Sequence, residues 1–174
     1  MRVSAKADYA ARAAAELSTA TEKPMKADRI AEAQDIPAKF LETILLELKH
    51  AGIVRSQRGP DGGYTLARPA EDISVADVIR AVDGPLANVR GDRPENMAYN
   101  GAAEPLTDVW IAVRAALREI LETTTLANLR DGTLPPRVAE LADDPEAWVS
   151  LGRIRGAGAS GGRRTQPKVS SAKS

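Results

Sequence analysis

One stretch constrains this chain more than any other: a helix followed at once by a glycine-rich hairpin. Residues 36–52 read Ile-Pro-Ala-Lys-Phe-Leu-Glu-Thr-Ile-Leu-Leu-Glu-Leu-Lys-His-Ala-Gly. Phe40, Leu41, Ile44, Leu45 and Leu48 recur at helical spacing, which predicts one apolar face. Lys39, Glu42, Thr43 and Lys49 fall on the rest. Pro37 suits a first helical turn, where its missing N–H costs nothing, and Gly52 suits the position just past the end. Two short β-prone runs follow, Ile53–Gln57 and Tyr64–Ala67. The residues between them, Arg58-Gly59-Pro60-Asp61-Gly62-Gly63, favour a tight turn. These glycines lie between two strands rather than before a helix, so they do not form a nucleotide-binding loop.

A shorter helix precedes this unit. Ala27, Ile30 and Ala31 give it an apolar face, and Gln34-Asp35-Ile36 makes the turn. Two helices and a basic hairpin in this order predict a winged helix-turn-helix. In such a unit the second helix enters the major groove and the first crosses the backbone. The wing would then set Arg58 beside the adjacent minor groove. The same pattern also serves as plain scaffold, so pattern alone leaves DNA binding open.

Three blocks resemble the Rrf2 family of bacterial transcriptional regulators. They are Met1-Arg2-Val3-Ser4-Ala5-Lys6-Ala7-Asp8-Tyr9-Ala10, the wing with its lead-in Ala51-Gly52-Ile53-Val54-Arg55-Ser56, and Ile73-Ser74-Val75-Ala76-Asp77-Val78-Ile79-Arg80-Ala81-Val82-Asp83. They occur in the family's order and extend the resemblance over about residues 1–130. The resemblance implies a homodimer that reads two half-sites of a near-palindromic double-stranded DNA. It also implies that Glu42 and Arg58 are the base and groove readers.

The formal net charge is zero, yet the six basic residues beyond Leu151 face no acids, which leaves residues 1–151 net acidic by six. DNA would therefore be held by a local basic patch, not a global field. There is no cysteine, so disulfides and thiolate sites are excluded. No apolar run approaches the ~18 residues of a membrane span, and no signal-peptide core is present. The chain reads as soluble and cytoplasmic.

The fold class expected is mainly α with a small β-hairpin, in five parts. Residues 1–85 form the winged helix-turn-helix domain and 86–103 a mobile loop. Residues 104–131 hold a dimerisation helix and a short following helix, 132–151 a C-terminal strap, and 152–174 a disordered basic tail. In the first part, Tyr9, Ala10, Ala13, Ala14 and Leu17 share a helix face that Ser4 caps. Ser74 and Asp77 resemble a capping box opening a helix whose Val75, Val78, Ile79 and Val82 would pack under the wing. In the long helix, Leu106, Trp110, Val113, Leu117 and Ile120 alternate spacings of four and three. Such a stripe seeks a partner helix, and a second copy supplies one.

Many Rrf2-like regulators hold an iron–sulfur cluster through three cysteines of the loop before the long helix and one further ligand. Cluster ligation needs soft thiolates. Here that loop holds Gly91, Asn96, Met97 and Ala102, and the whole chain lacks cysteine. In a family variant, a carboxylate and a histidine of the first helix share the cluster; Asp8 is present, but residue 12 is Arg12. The expectation is no metal and no cofactor.

The sequence thus reads as a DNA-binding regulator, not an enzyme, and as a repressor rather than an activator. The reading residues expected are Lys39, Glu42, Thr43, Arg58 and Gly59, with Arg55, Ser56, Gln57, Arg2 and Tyr9 as further phosphate candidates. Glu42 suits a cytosine N4 donor, Thr43 a base edge or thymine methyl, and Lys39 a phosphate. Two alternatives remain open: a regulator that acts through a protein partner, and a small-molecule-sensing repressor with its pocket between the long helix and the winged domain.

Overall fold

The structure is a computed structural model and describes residues 2–20 and 23–149. The expected basic tail over 152–174 lies outside the described residues. Nine elements follow in order: α1 (Ala5–Leu17), α2 (Ala27–Gln34), α3 (Ala38–His50), β1 (Val54–Gln57), β2 (Gly63–Leu66), α4 (Val75–Asp83), α5 (Leu106–Thr123), α6 (Leu126–Asp131) and α7 (Pro136–Asp143). Helices dominate, and the described strands form one antiparallel hairpin, Val54 opposite Leu66 and Gln57 opposite Gly63.

The core is built by α1–α4. Ala10, Ala13 and Ala14 of α1 are fully buried. Their small side chains let α2, α3 and α4 approach this central helix, and all three pack on it. Ser4 caps α1 by accepting from the Ala7 N–H at 2.9 Å. From α3 come Leu41, Ile44, Leu45 and Leu48, each no more than 1% exposed. Burying one such side chain stabilises by about 1.5–3 kcal/mol. Asp35 closes α2 in the left-handed region at φ 49°, a conformation that Asp tolerates better than most residues.

Phe40 departs from the expected apolar face: it is 56% exposed, and its ring meets Tyr9 edge-on at 6.2 Å. The core-facing arc of α3 is centred between Leu41 and Leu48, and Phe40 lies beyond its Ile44 edge. The capping box at α4 is formed as expected, Ser74 accepting from the Asp77 N–H and Asp77 from the Ser74 N–H, both at 3.1 Å. Its helix packs on α1, α3 and α5, however, and not beneath the wing.

Residues 86–103 carry two 3-10 turns, Pro94–Asn96 and Gly101–Ala103. Pro94 is buried, Thr107 Oγ1 donates to the Met97 carbonyl at 3.1 Å, and Trp110 Nε1 donates to the Tyr99 hydroxyl at 3.1 Å. Glu95 pairs with Arg114. These contacts tie the segment to α5. The far end of α5 is tied by a backbone bridge in which the Val75 N–H donates to the Thr124 carbonyl and the Leu126 N–H to that of Ile73. Arg80 of α4 pairs with Glu122 there. In the region expected as a strap, α7 is followed by a 3-10 turn, Pro145–Trp148, in which Trp148 is 71% exposed.

Candidate nucleic-acid interface

With one face of α3 sealed in the core, the opposite face is open. Lys39, Glu42, Thr43, Leu46, Lys49 and His50 are all exposed. Lys49 and His50 stand in the last turn, where cations complement the helix dipole. The helix is steadied by Lys6 of α1, whose ammonium lies 3.2 Å from Glu47 Oε2. That oxygen is buried without a well-aligned hydrogen bond, so the Lys6 charge is what compensates it.

The wing is anchored by more than its own hairpin. Met25 and Tyr64 exchange both backbone hydrogen bonds, at 2.9 and 2.8 Å, so the segment before α2 lies along β2 like a third strand. Two glycines make this fit. A Cβ on Gly63 would lie 2.5 Å from the Met25 carbonyl oxygen, and one on Gly62 would lie 2.4 Å from that of Gln57. Beyond this pinned base the turn projects, with Arg58, Gly59, Pro60 and Asp61 exposed.

The expected site residues divide into groups. Arg58, Gly59, Ser56 and Gln57 border one cleft between the wing and the start of α2. Lys26 borders the same cleft and adds a cation to it that is absent from the expected set. Its proximity follows from the Met25–Tyr64 bridge, a pairing across 39 positions that no local pattern announces. Arg55 donates to Thr65 Oγ1 at 3.1 Å, across the hairpin. Tyr9 lies between Phe40 and Arg12, whose guanidinium carbon is 5.3 Å from the Tyr9 ring centroid. Arg2 borders a different cavity, with Asp83 of α4 and Leu117 of α5.

Comparison with known proteins decides the family. The family model described as "Rrf2: Iron-dependent Transcriptional regulator" matches residues 3–132. The chain belongs to the Rrf2 family. A Mycobacterium tuberculosis protein named as an HTH-type transcriptional regulator is 52% identical over 151 residues, 86% of this chain and 94% of that relative. Among solved structures, CymR, the global cysteine regulator of B. subtilis, superposes with TM-score 0.65 at 31% identity, over 76% of this chain and 98% of CymR. IscR of T. potens gives TM-score 0.60 at 31% identity, over 87% and 94%. These Rrf2 relatives are transcriptional regulators, not enzymes, and the chain is a DNA-binding regulator of their kind.

The family description names iron, and the donors present here do not fit a thiolate-held cluster. The chain has no cysteine. Three acids that could have served as ligands are engaged within the chain. Asp92 accepts from Asn96 Nδ2 and the Arg93 N–H, which hold its carboxyl below the usual range. Glu95 is held low by its own backbone N–H and by Arg114. Asp8 pairs with Arg12 at 3.2 Å. Among the described residues no three His, Cys, Asp or Glu converge as a metal site, and no helix is long and apolar enough to cross a membrane.

Proposed function

We propose that this protein is a homodimeric, sequence-specific repressor that reads a near-palindromic DNA site and works without an iron–sulfur cluster. The observation that carries the reading is the two-sidedness of α3: four side chains sealed in the core, and Lys39, Glu42 and Thr43 open beside a wing that presents Arg58. Glu42 accepts from a base, Lys39 holds phosphate, and Arg58 enters a narrow minor groove where the potential is most negative. Dimerisation is supported by α5, which has no fully buried residue; Leu106, Trp110, Val113, Leu117 and Ile120 are all left half-covered.

Titration against a selected duplex at two salt concentrations tests this. Phosphate contacts make affinity fall steeply with salt, with a log–log slope near the number of contacts. A flat response, or no duplex preferred over random DNA, would favour the protein-partner alternative.

A cavity of about 460 Å³ favours the small-molecule alternative as a second reading. It lies among Val3, Ala7, Ile79, Leu86 and Leu117, between α5 and the winged domain, with Arg2 and Asp83 at its border. A metabolite that releases the chain from DNA would have this cavity as its site. Ile79→Trp should then abolish release and leave DNA affinity intact.

A further inference from the structure

One side chain on the open face of α3 is of the wrong kind for a polyanion. Leu46 is 51% exposed, and its neighbours on that face are Lys39, Glu42, Thr43, Lys49 and His50. Phe40, the other large exposed apolar residue of α3, has an aromatic partner in Tyr9; Leu46 has no such aromatic contact. The positions of Lys39, Glu42, Thr43 and Leu46 are i, i+3, i+4 and i+7. Homeodomain helices read bases in the major groove from four positions at this same spacing. Leu46 therefore completes a set whose first three members already serve the reading proposed above, on which this inference rests.

We propose that Leu46 is a specificity residue that reads the methyl group of a thymine in each half-site. The chemistry admits little else. A leucine side chain has no hydrogen-bonding group, so it gains nothing from purine N7, the O6 and O4 acceptors or the amino donors of the major groove. The thymine C5 methyl is the apolar group that a base edge presents there. Placed against cytosine, Leu46 would cover the N4 donor without accepting from it, at a desolvation cost. The residue thus favours thymine by contact and disfavours cytosine by an unmet bond.

The test uses the full chain and duplexes selected from a random pool by the wild-type protein. Each thymine is then replaced singly by deoxyuridine, which removes the methyl and keeps every hydrogen-bonding group. One thymine per half-site should be sensitive, at about fourfold in affinity for one buried methyl and about fifteenfold when both half-sites are changed. Leu46→Ala should bind the thymine duplex more weakly and lose that sensitivity, with unchanged melting temperature and oligomeric state. Equal uracil effects in wild type and Leu46→Ala would overturn the assignment while the DNA-reading role stands. A Leu46→Ala protein with altered oligomeric state would place the leucine in a protein contact and overturn it too. If no duplex is enriched at all, the reading of α3 falls first and Leu46 with it.

Discussion

Two apolar stripes of the molecule, on α3 and α5, end very differently. In α3 the stripe is satisfied within the chain: Leu41, Ile44, Leu45 and Leu48 are no more than 1% exposed. In α5 no residue of a stripe of similar strength is fully buried, and Val109 is 48% exposed. The core draws on α1, α2, α3 and α4 and on Leu126 just beyond α5, and passes over α5 itself. A chain that completes one helix and leaves the other half-covered has divided two tasks. The finished helix is a fixed platform whose outer face is free to read. In the dimer proposed above, the unfinished one is the surface that a second copy covers.

Substitutions at matched leucines break this comparison most sharply. Leu48→Ala empties space at a fully buried site and should cost about 2–5 kcal/mol of stability, seen as a lower urea midpoint. Leu117→Ala, on α5, should cost the isolated chain less than half of that. Similar losses at both would mean that α5 belongs to the core after all. The converse is Val113→Glu with Leu117→Glu, which should turn a dimer into a monomer by light scattering while helical circular dichroism is kept. A well-folded dimer from that double variant would remove α5 as the interface.

Much of the division was legible in the sequence. The α3 stripe, the turn residues of the wing and the Ser74 cap are local patterns, and each is formed. Periodicity alone did not separate Phe40 from the core set, because the rim of a helix face differs from its centre by less than one residue's rotation. The aromatic contact with Tyr9, 31 positions away, decides it. Leu46 falls outside that apolar set, and its place on the open face becomes visible only once the core-facing side of α3 is fixed. The pinning of the wing by Met25 and the ties between residues 94–99 and α5 depend on pairings far apart in sequence, which no spacing rule encodes.

Smaller effects refine the account of each platform. Gly63→Ala forces a Cβ against the Met25 carbonyl at 2.5 Å, in backbone that cannot yield cheaply. The wing should separate from the segment before α2, with about a tenfold loss in DNA affinity, a free-energy cost within the usual range for overpacking. Unchanged binding would show that the wing tolerates a looser base. Near α5, acid should have a slight effect. Arg80 and then Arg118 hold the Glu122 carboxyl below the ordinary glutamate range. A depressed folded value means that this contribution is complete above the unfolded pKa, ~4.3, and is lost as pH falls through the folded value. The wild-type melting temperature should therefore drop slightly more than that of Glu122→Gln between pH 5 and 3, both groups being exposed enough for solvent to screen the pair. Parallel curves would remove the Arg80–Glu122 pair as a tether of α5.

The most direct measurement compares Arg58→Ala and Glu42→Ala on a selected duplex and on a scrambled one at matched salt. Arg58 is a cation on a projecting turn, and its loss should weaken binding to the selected duplex severely. Glu42 is an acid on the open face of α3, where phosphates repel it unless it accepts from a base. Its loss should change which sequences bind, by about 1–3 kcal/mol per discriminated base, while affinity for the scrambled duplex holds or rises. Equal proportional losses on both duplexes for Glu42→Ala, together with no loss for Arg58→Ala, would contradict the account of α3 and the wing as the surface that reads DNA.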